Sequence, residues 1–424
     1  MNQVTDQQII EILRKEAVPA LGCTEPVACA LACAKCKEVL GGVPERLDVL
    51  VSGNIYKNGM GVGIPGTGMV GLPIAAALGA VCGKSEYGLE VLKEVNVGDN
   101  LQRAKDMLGQ VTVSLKEDAP DKLYAEALAT KGNDTVKVII AHTHTNIVLV
   151  EKNGEEIFKR EFRLDTSKPE DKGPELSVKR IWDFVHEVDV KDIVLQGAEM
   201  NKAISAEGLN SEYGLQIGKT LKENIDKGLL EDDLLNRTLI RATAASDARM
   251  DGCPKPVMTN SGSGNQGITV YLPVVVAAEK FGASREQLAR ALALSNLIAV
   301  HIHHYMGHLS ALCGILIAGT GAASAITYLM GGTYDNMVNT IKTMCSNLTG
   351  MMCDGAKQGC ALKVYSGVSA AVQAALLSMR GIKTNNDGIV EEDIERTIRN
   401  VGLIGTKGME ETDKTILNIM CNKK

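Results

Sequence analysis

Eleven cysteines in a chain of 424 residues are the side chains best suited to do chemistry here. They fall into groups that must be weighed separately. Cys29, Cys33 and Cys36 have a spacing that can hold an iron–sulfur cluster, but they lie in the alanine-rich run Pro26-Val-Ala-Cys-Ala-Leu-Ala-Cys-Ala-Lys-Cys36. On a helix, offsets of four and three repeat one face, so the run reads as a packing stripe of buried thiols. Cys23 stands in Gly22-Cys-Thr-Glu-Pro26, just ahead of that helix. Unpaired N–H groups and the positive end of the helix dipole would stabilise a thiolate there. The competing reading is a cysteine in a tight turn with Thr24 as the N-cap, and both stay open. Cys313 follows the histidine run His301-Ile-His-His-Tyr-Met-Gly-His308, and Cys353 and Cys360 bracket the short loop Asp354–Gly359, which could wrap a ligand. Three thiolates would fix three irons of a cubane and leave the fourth open. Spacing by itself does not select this triad, because Cys313 is remote from the other two. The remaining cysteines divide further: Cys82 and Cys345 read as core, Cys253 lies close to a glycine loop, and Cys421 lies near the C-terminus.

That glycine loop is Asn260-Ser-Gly-Ser-Gly-Asn-Gln-Gly267, followed by an apolar segment. Glycines let a backbone approach a ligand and aim its N–H groups at an anion. A carboxylate-binding loop is expected, with Asn260, Ser261, Ser263 and Asn265 as polar contributors. The same string could cup the phosphate of pyridoxal phosphate, yet no lysine stands in an evident Schiff-base motif. A plain glycine-rich turn is the remaining alternative. Ser52-Gly-Asn-Ile-Tyr-Lys-Asn-Gly59 could add Asn54 and Asn58 to a pocket, or could be turn chemistry alone. His142 and His144 alternate along an expected strand, where a polar sheet face is favoured over a zinc pair. Of the histidines upstream of Cys313, His304 is expected to line the site.

Three strings together resemble a known family: Gly22-Cys-Thr-Glu-Pro-Val-Ala28, Thr259-Asn-Ser-Gly-Ser-Gly-Asn-Gln-Gly267 and Cys353-Asp-Gly-Ala-Lys-Gln-Gly-Cys360. They look like the L-cysteine desulfidase family, which is related to the iron–sulfur L-serine dehydratase alpha subunit, and the similarity runs along essentially the whole chain. The resemblance implies a [4Fe–4S] cluster on Cys313, Cys353 and Cys360, a fourth iron open to substrate, and an active-site role for Cys23. It implies β-elimination from L-cysteine to pyruvate, ammonia and hydrogen sulfide. L-Serine dehydration by the same site is the alternative. In the serine dehydratases the second and third ligand cysteines lie further apart than Cys353 and Cys360, which favours the desulfidase branch. A reading of another class is a non-catalytic metal- or redox-sensing protein, in which a fourth protein ligand would close the cluster.

These residues need a frame to hold them. The chain is 45% hydrophobic but only 3% aromatic, so its core must be built from Ala, Val, Leu, Ile and Met. A net charge of −6 without a basic stripe argues against nucleic acid. The N-terminus reads as an amphipathic helix without the features of a signal peptide, so a cytoplasmic location is expected. Leu309 to Met330 carries no charge over a bilayer-spanning length, but its glycines and hydroxyls favour a buried helix over a membrane span. Helices are expected at 5–17, 24–40, 69–82, 176–187, 191–207, 211–226, 231–246, 284–300, 305–330, 333–350, 360–379, 390–400 and 411–421. Strands are expected at 46–56 and 111–115, with a hairpin from Val136–Val150 into Ile157–Arg163. The fold class is α+β: a smaller mixed α/β N-terminal part with an antiparallel hairpin (1–165) packed on a larger, mostly helical C-terminal part (175–424), joined by a charged linker. The partner is a small amino-acid substrate, and a homo-oligomer, most simply a dimer, is expected.

Overall fold

The computed structural model describes residues 4–160, 176–307 and 310–422. The linker expected at Asp165–Glu175, the end of the hairpin and His308 lie outside the described residues. Helix α1 (Asp6–Glu16) opens with a capping box between Thr5 and Gln8. Its apolar residues Ile9 and Leu13 pack into the core of the C-terminal helices, so it belongs with that layer although it comes first in sequence. The two-residue strand β1 (Pro19–Ala20) follows, then α2 (Thr24–Leu40), β2 (Arg46–Val51), α3 (Gly53–Gly59), β3 (Gly63–Ile64), β4 (Met69–Val70), α4 (Leu72–Val81) and α5 (Asn100–Asp106). Strands β5 (Val111–Leu115), β6 (Tyr124–Lys131), β7 (Asp134–Ala141), β8 (Ile147–Lys152) and β9 (Glu155–Lys159) complete the N-terminal part.

Its main sheet has the order β5-β2-β6-β7-β8-β9. Only β2 and β5 are parallel, as befits two strands joined by a long helical crossover. Helices α2 and α4 build the apolar layer with the sheet and cross at backbone contact: a Cβ on Gly79 would stand 2.1 Å from the Ala30 carbonyl oxygen. Cys29, Cys33 and Cys36 are fully buried here, and the Cys36 sulfur lies 3.5 Å from the Ala127 carbonyl. The packing-stripe reading of these thiols holds.

Three local expectations are corrected. The strand begun at residue 46 ends at Val51, because Ser52 accepts from the Ile55 N–H and caps α3. Val136–Val150 is not one strand but β7 and β8 with a turn between them; His142 has φ 70°, so it and His144 do not share a sheet face. Strand β6 falls in the stretch 108–165 that reads as β-like, but the sequence does not delimit it as a strand, since Ala125, Ala127, Leu128 and Ala129 are helix formers. Pairing on both edges, to β2 and β7, overrides that preference.

The C-terminal part contains α6 (Val178–Glu187), α7 (Lys191–Asn210), α8 (Ile217–Asp226), α9 (Leu234–Met250), β10 (Val257–Met258), α10 (Gly264–Phe281) and α11 (Arg285–Met306). It continues with α12 (Gly314–Leu329), α13 (Tyr334–Leu348), α14 (Cys360–Met379), α15 (Ile394–Leu403) and α16 (Glu410–Cys421). Strand β10 pairs antiparallel with β1, stitching the first residues of the chain onto the helical part. Helix α12 is the hub, packed on α10, α11, α13 and α14 and buried over nearly its whole length. A Cβ on Gly321 would lie 2.2 Å from the Ser295 carbonyl oxygen of α11, so small residues set this packing. The uncharged stretch is thus a buried helix, as expected. The break expected between 300 and 305 lies later: α11 runs on to Met306, Gly307 stands at φ 73°, and α12 starts only at Gly314, with Cys313 in the break. Helix α14 is long and apolar enough to cross a bilayer by length and composition, but one face of it is buried among the other helices. The chain is an α+β protein with one core under the sheet and a larger one among the helices.

Candidate active site

Four helices begin at one cavity. Cys23 is the N-cap of α2, with an extended backbone (φ −90°, ψ 141°), so Thr24 is the first helical residue and not the cap. Ser263 caps α10 with its hydroxyl, Cys313 is the N-cap of α12, and Cys360 opens α14. Neither Cys23 nor Cys313 makes a side-chain capping bond, so unpaired N–H groups stay available beside both. All four residues line a cavity of about 450 Å³ between the two parts of the molecule. Each terminus carries roughly half a positive charge, so the cavity is built for anions.

Backbone pairing explains how remote cysteines meet. The N–H of Cys313 donates to Met351 (2.8 Å) and that of Cys353 to Ala311 (2.6 Å), around a bridge between Leu312 and Met352. From Cys353 the loop turns at Gly355 (φ 99°), where a Cβ would lie 2.3 Å from the Lys57 carbonyl oxygen. It re-enters at Cys360, whose N–H reaches Lys357. Asp354 braces the loop through Lys357 and Lys363. Burial opposes its ionisation, but those two cations outweigh burial and hold its pKa at about 2. Burial raises the Cys313 thiol to about 12, and the nearby Cys353 adds to the rise; burial likewise raises Cys360, again with Cys353 contributing. Burial thus favours the thiol form of Cys313 and Cys360, and binding a metal would release their protons.

Thiolates are the ligands that iron–sulfur clusters take. Donors to one ion lie about 4 Å apart around it, and among the described residues no three His, Cys, Asp or Glu side chains are gathered in that way. A cubane would place each thiolate on a different iron, and Cys313, Cys353 and Cys360 are three thiols that line one cavity beside Lys363.

Cys23 lies against Met250, Ala356 and Cys360. Its thiol is pushed up to about 11, chiefly by burial; Arg249 pulls it down, while Glu25 and Cys360 push it further up. Of the two open readings, the turn capped by Thr24 falls because Cys23 holds the N-cap position itself, while burial works against the thiolate that the helix end would favour.

Of the polar residues named from the sequence, Ser261, Ser263, Asn265 and Asn58 line the cavity. Ser261 holds φ 49° while its N–H donates to Glu16, a left-handed backbone forced by the turn into α10. Asn260 does not line the cavity; it is buried beneath the loop, where its amide donates to Asn296 (3.0 Å). Asn54 lies on α3 away from the lining. His304 is exposed on α11, and His303, one helical step round, faces the cavity instead. The buried His301 pairs with Glu395 (2.7 Å), and Cys253 is buried beside Tyr213 and outside the lining. Glu25 and Arg249 were missed, although Asp247 and Arg249 are two charges in the otherwise uncharged run 242–250.

A model of the serine dehydratase alpha chain family matches residues 86–418. The UPF0597 protein of Parabacteroides distasonis is 47% identical over 432 residues, covering all of both chains. That of Oleidesulfovibrio alaskensis is 48% identical over 421 residues, 98% of each, and that of Phocaeicola vulgatus 46% identical over 424 residues, 99% of this chain and 98% of its own.

Proposed function

The chain belongs to the serine dehydratase alpha chain family, and from that premise we propose that it is an iron–sulfur lyase acting on L-cysteine. With water, the reaction yields pyruvate, ammonia and hydrogen sulfide. The observation that carries the reading is the meeting of Cys23 with Cys313, Cys353 and Cys360 in one cavity. A [4Fe–4S] cluster on the last three would offer an iron free of protein thiolate, a Lewis acid for the departing sulfur.

The chain's own residues do the remainder. Cys23, once ionised, takes the proton from the substrate α-carbon. Arg249 lowers the cost of that ionisation by placing its charge beside the sulfur. Ser261, Ser263 and Asn265, where α10 begins, orient the substrate by hydrogen bonds. Met250, Met306, Leu312 and Ile315 make the wall apolar and limit water at the reacting carbon. Loss of the β-substituent leaves an enamine, which tautomerises and hydrolyses unaided. L-Serine would lose hydroxide by the same route, but a soft metal site prefers sulfur.

Purification without oxygen, followed by a visible spectrum, an iron count and assays of pyruvate and sulfide from L-cysteine and of pyruvate from L-serine, tests the proposal. Brown, iron-containing protein with activity on L-cysteine is expected. Colourless, iron-free and fully active protein overturns it.

A further inference from the structure

Among the described residues no carboxylate pairs with the Arg249 cation, and burial favours the uncharged form of the Cys23 thiol beside it. Arg249 stands at the end of α9, only 6% exposed, and lines the cavity. Its guanidinium donates to the Asn265 amide oxygen (3.3 Å), the Gly22 carbonyl (3.2 Å) and the Met250 sulfur (3.3 Å), all uncharged. Its Nε is buried with no acceptor. A buried guanidinium satisfied only by neutral groups is unfavourable until an anion completes it.

The surroundings show where that anion sits. A Cβ on Gly264 would come within 2.1 Å of Arg249 Nε, so a glycine is what lets the guanidinium lie against the first residue of α10. The cation and the N–H groups of that helix end therefore serve one position. A carboxylate, with two oxygens in a plane, matches the guanidinium fork. Glu25 lines the same cavity and accepts from Asn58 Nδ2 (3.0 Å), which leaves Asn58 Oδ1 buried and without a donor. A carboxylate oxygen and an orphaned amide oxygen are what an ammonium group would seek.

We propose that Arg249 receives the α-carboxylate of the substrate, with the α-ammonium directed to Glu25 and Asn58, so that the cavity selects α-amino acids as zwitterions. The inference rests on the lyase reading for its substrate class, although binding does not require turnover.

L-Alanine and ethylamine, which share a skeleton but not the carboxylate and carry no leaving group, are the probes, with protein purified without oxygen. L-Alanine should raise the melting temperature of the wild type and ethylamine should not. In Arg249→Gln the apparent affinity for L-alanine should fall roughly 100-fold, with iron content and visible spectrum unchanged. Arg249→Lys, which keeps the charge but not the fork, should lose part of that affinity and raise KM for L-cysteine more than it lowers kcat. Equal stabilisation by both probes, or unaltered L-alanine affinity in the variants, overturns the inference. If Arg249→Gln does not fold, the Lys variant and the wild-type comparison decide. Arg249-dependent binding without pyruvate formation upholds this inference and overturns the lyase reading; turnover of L-cysteine with unaltered KM in Arg249→Lys does the reverse.

Discussion

Cys23 is pulled in opposite directions by burial and by Arg249, and burial dominates. If the thiolate is the base, its population grows with pH up to about 11, so kcat/KM should still be rising at pH 9. A profile flat from neutrality upward would remove Cys23 from that role. Cys23→Ala should keep the iron and the visible spectrum while kcat falls by roughly 10²- to 10⁴-fold, the usual weight of a general base. Cys353→Ser should lose iron, measured by metal analysis after anaerobic purification. At this scale the sequence was informative where a residue type announces itself. Cys23, Ser261, Ser263 and Asn58 could be named from local strings, and all face the cavity. Asn260 and His304 could not be separated from their neighbours, because which of two adjacent side chains faces a ligand depends on helix phase and loop turn. Arg249 was hidden for the opposite reason: its meaning lies in the partner it lacks.

Helix starts, rather than whole helices, carry the site, and their positions depend on close packing of helix bodies. The sequence marked most helices through periodicity and caps; Thr5 with Gln8 and Ser284 with Gln287 both form the boxes their spacing suggests. It placed the break between α11 and α12 too early, because residues 307–313 carry no proline and a single glycine to mark it. Gly79→Ala should test how tightly α2 is seated. A methyl group 2.1 Å from the Ala30 oxygen must move a helix backbone, and about 1–3 kcal/mol of stability should be lost, read as a lower melting temperature. Asp247 gives a second test. Burial raises its pKa from 3.8 to about 6, although its carboxylate accepts from the Gly218 N–H at the start of α8. The native state thus favours the protonated form. The associated stability is fully present below pH 3.8 and lost as pH rises through about 6, amounting to about 3 kcal/mol at most. Denaturant titrations of wild type and Asp247→Asn should diverge across that window, with the variant showing less dependence on pH. Parallel curves would mean that Asp247 is ionised throughout.

The molecule as a whole is two cores meeting at one cavity, with elements from each crossing to the other side. Alternation and helical periodicity were enough to read an α+β chain with its sheet in the first half. They could not show that β1 pairs with β10 or that α1 joins the helical core, since contacts between short segments so far apart leave no local pattern. The same is true of Lys57. Its side chain, 2% exposed, pairs with Asp413 of α16 and also reaches the Cys353 carbonyl (3.5 Å). Lys57→Met should cost about 2 kcal/mol, below the usual loss for a fully buried pair because Asp413 keeps some solvent. It should also speed the loss of iron to a chelator, followed by the decay of visible absorbance; an unchanged rate would separate the ion pair from the cysteine loop.

The link from Lys57 to Asp413 also bears on the order of events at the ribosome. Lys57 emerges before Cys313, Cys353 and Cys360, and the carboxylate that anchors it, Asp413, emerges after all three. The cysteine loop acquires this support only once Asp413 has been made, so a nascent chain that stops short of it presents these thiols without the clamp that holds them. If the three thiols hold a cluster as proposed, its insertion is expected to be completed only after Asp413 has docked on Lys57.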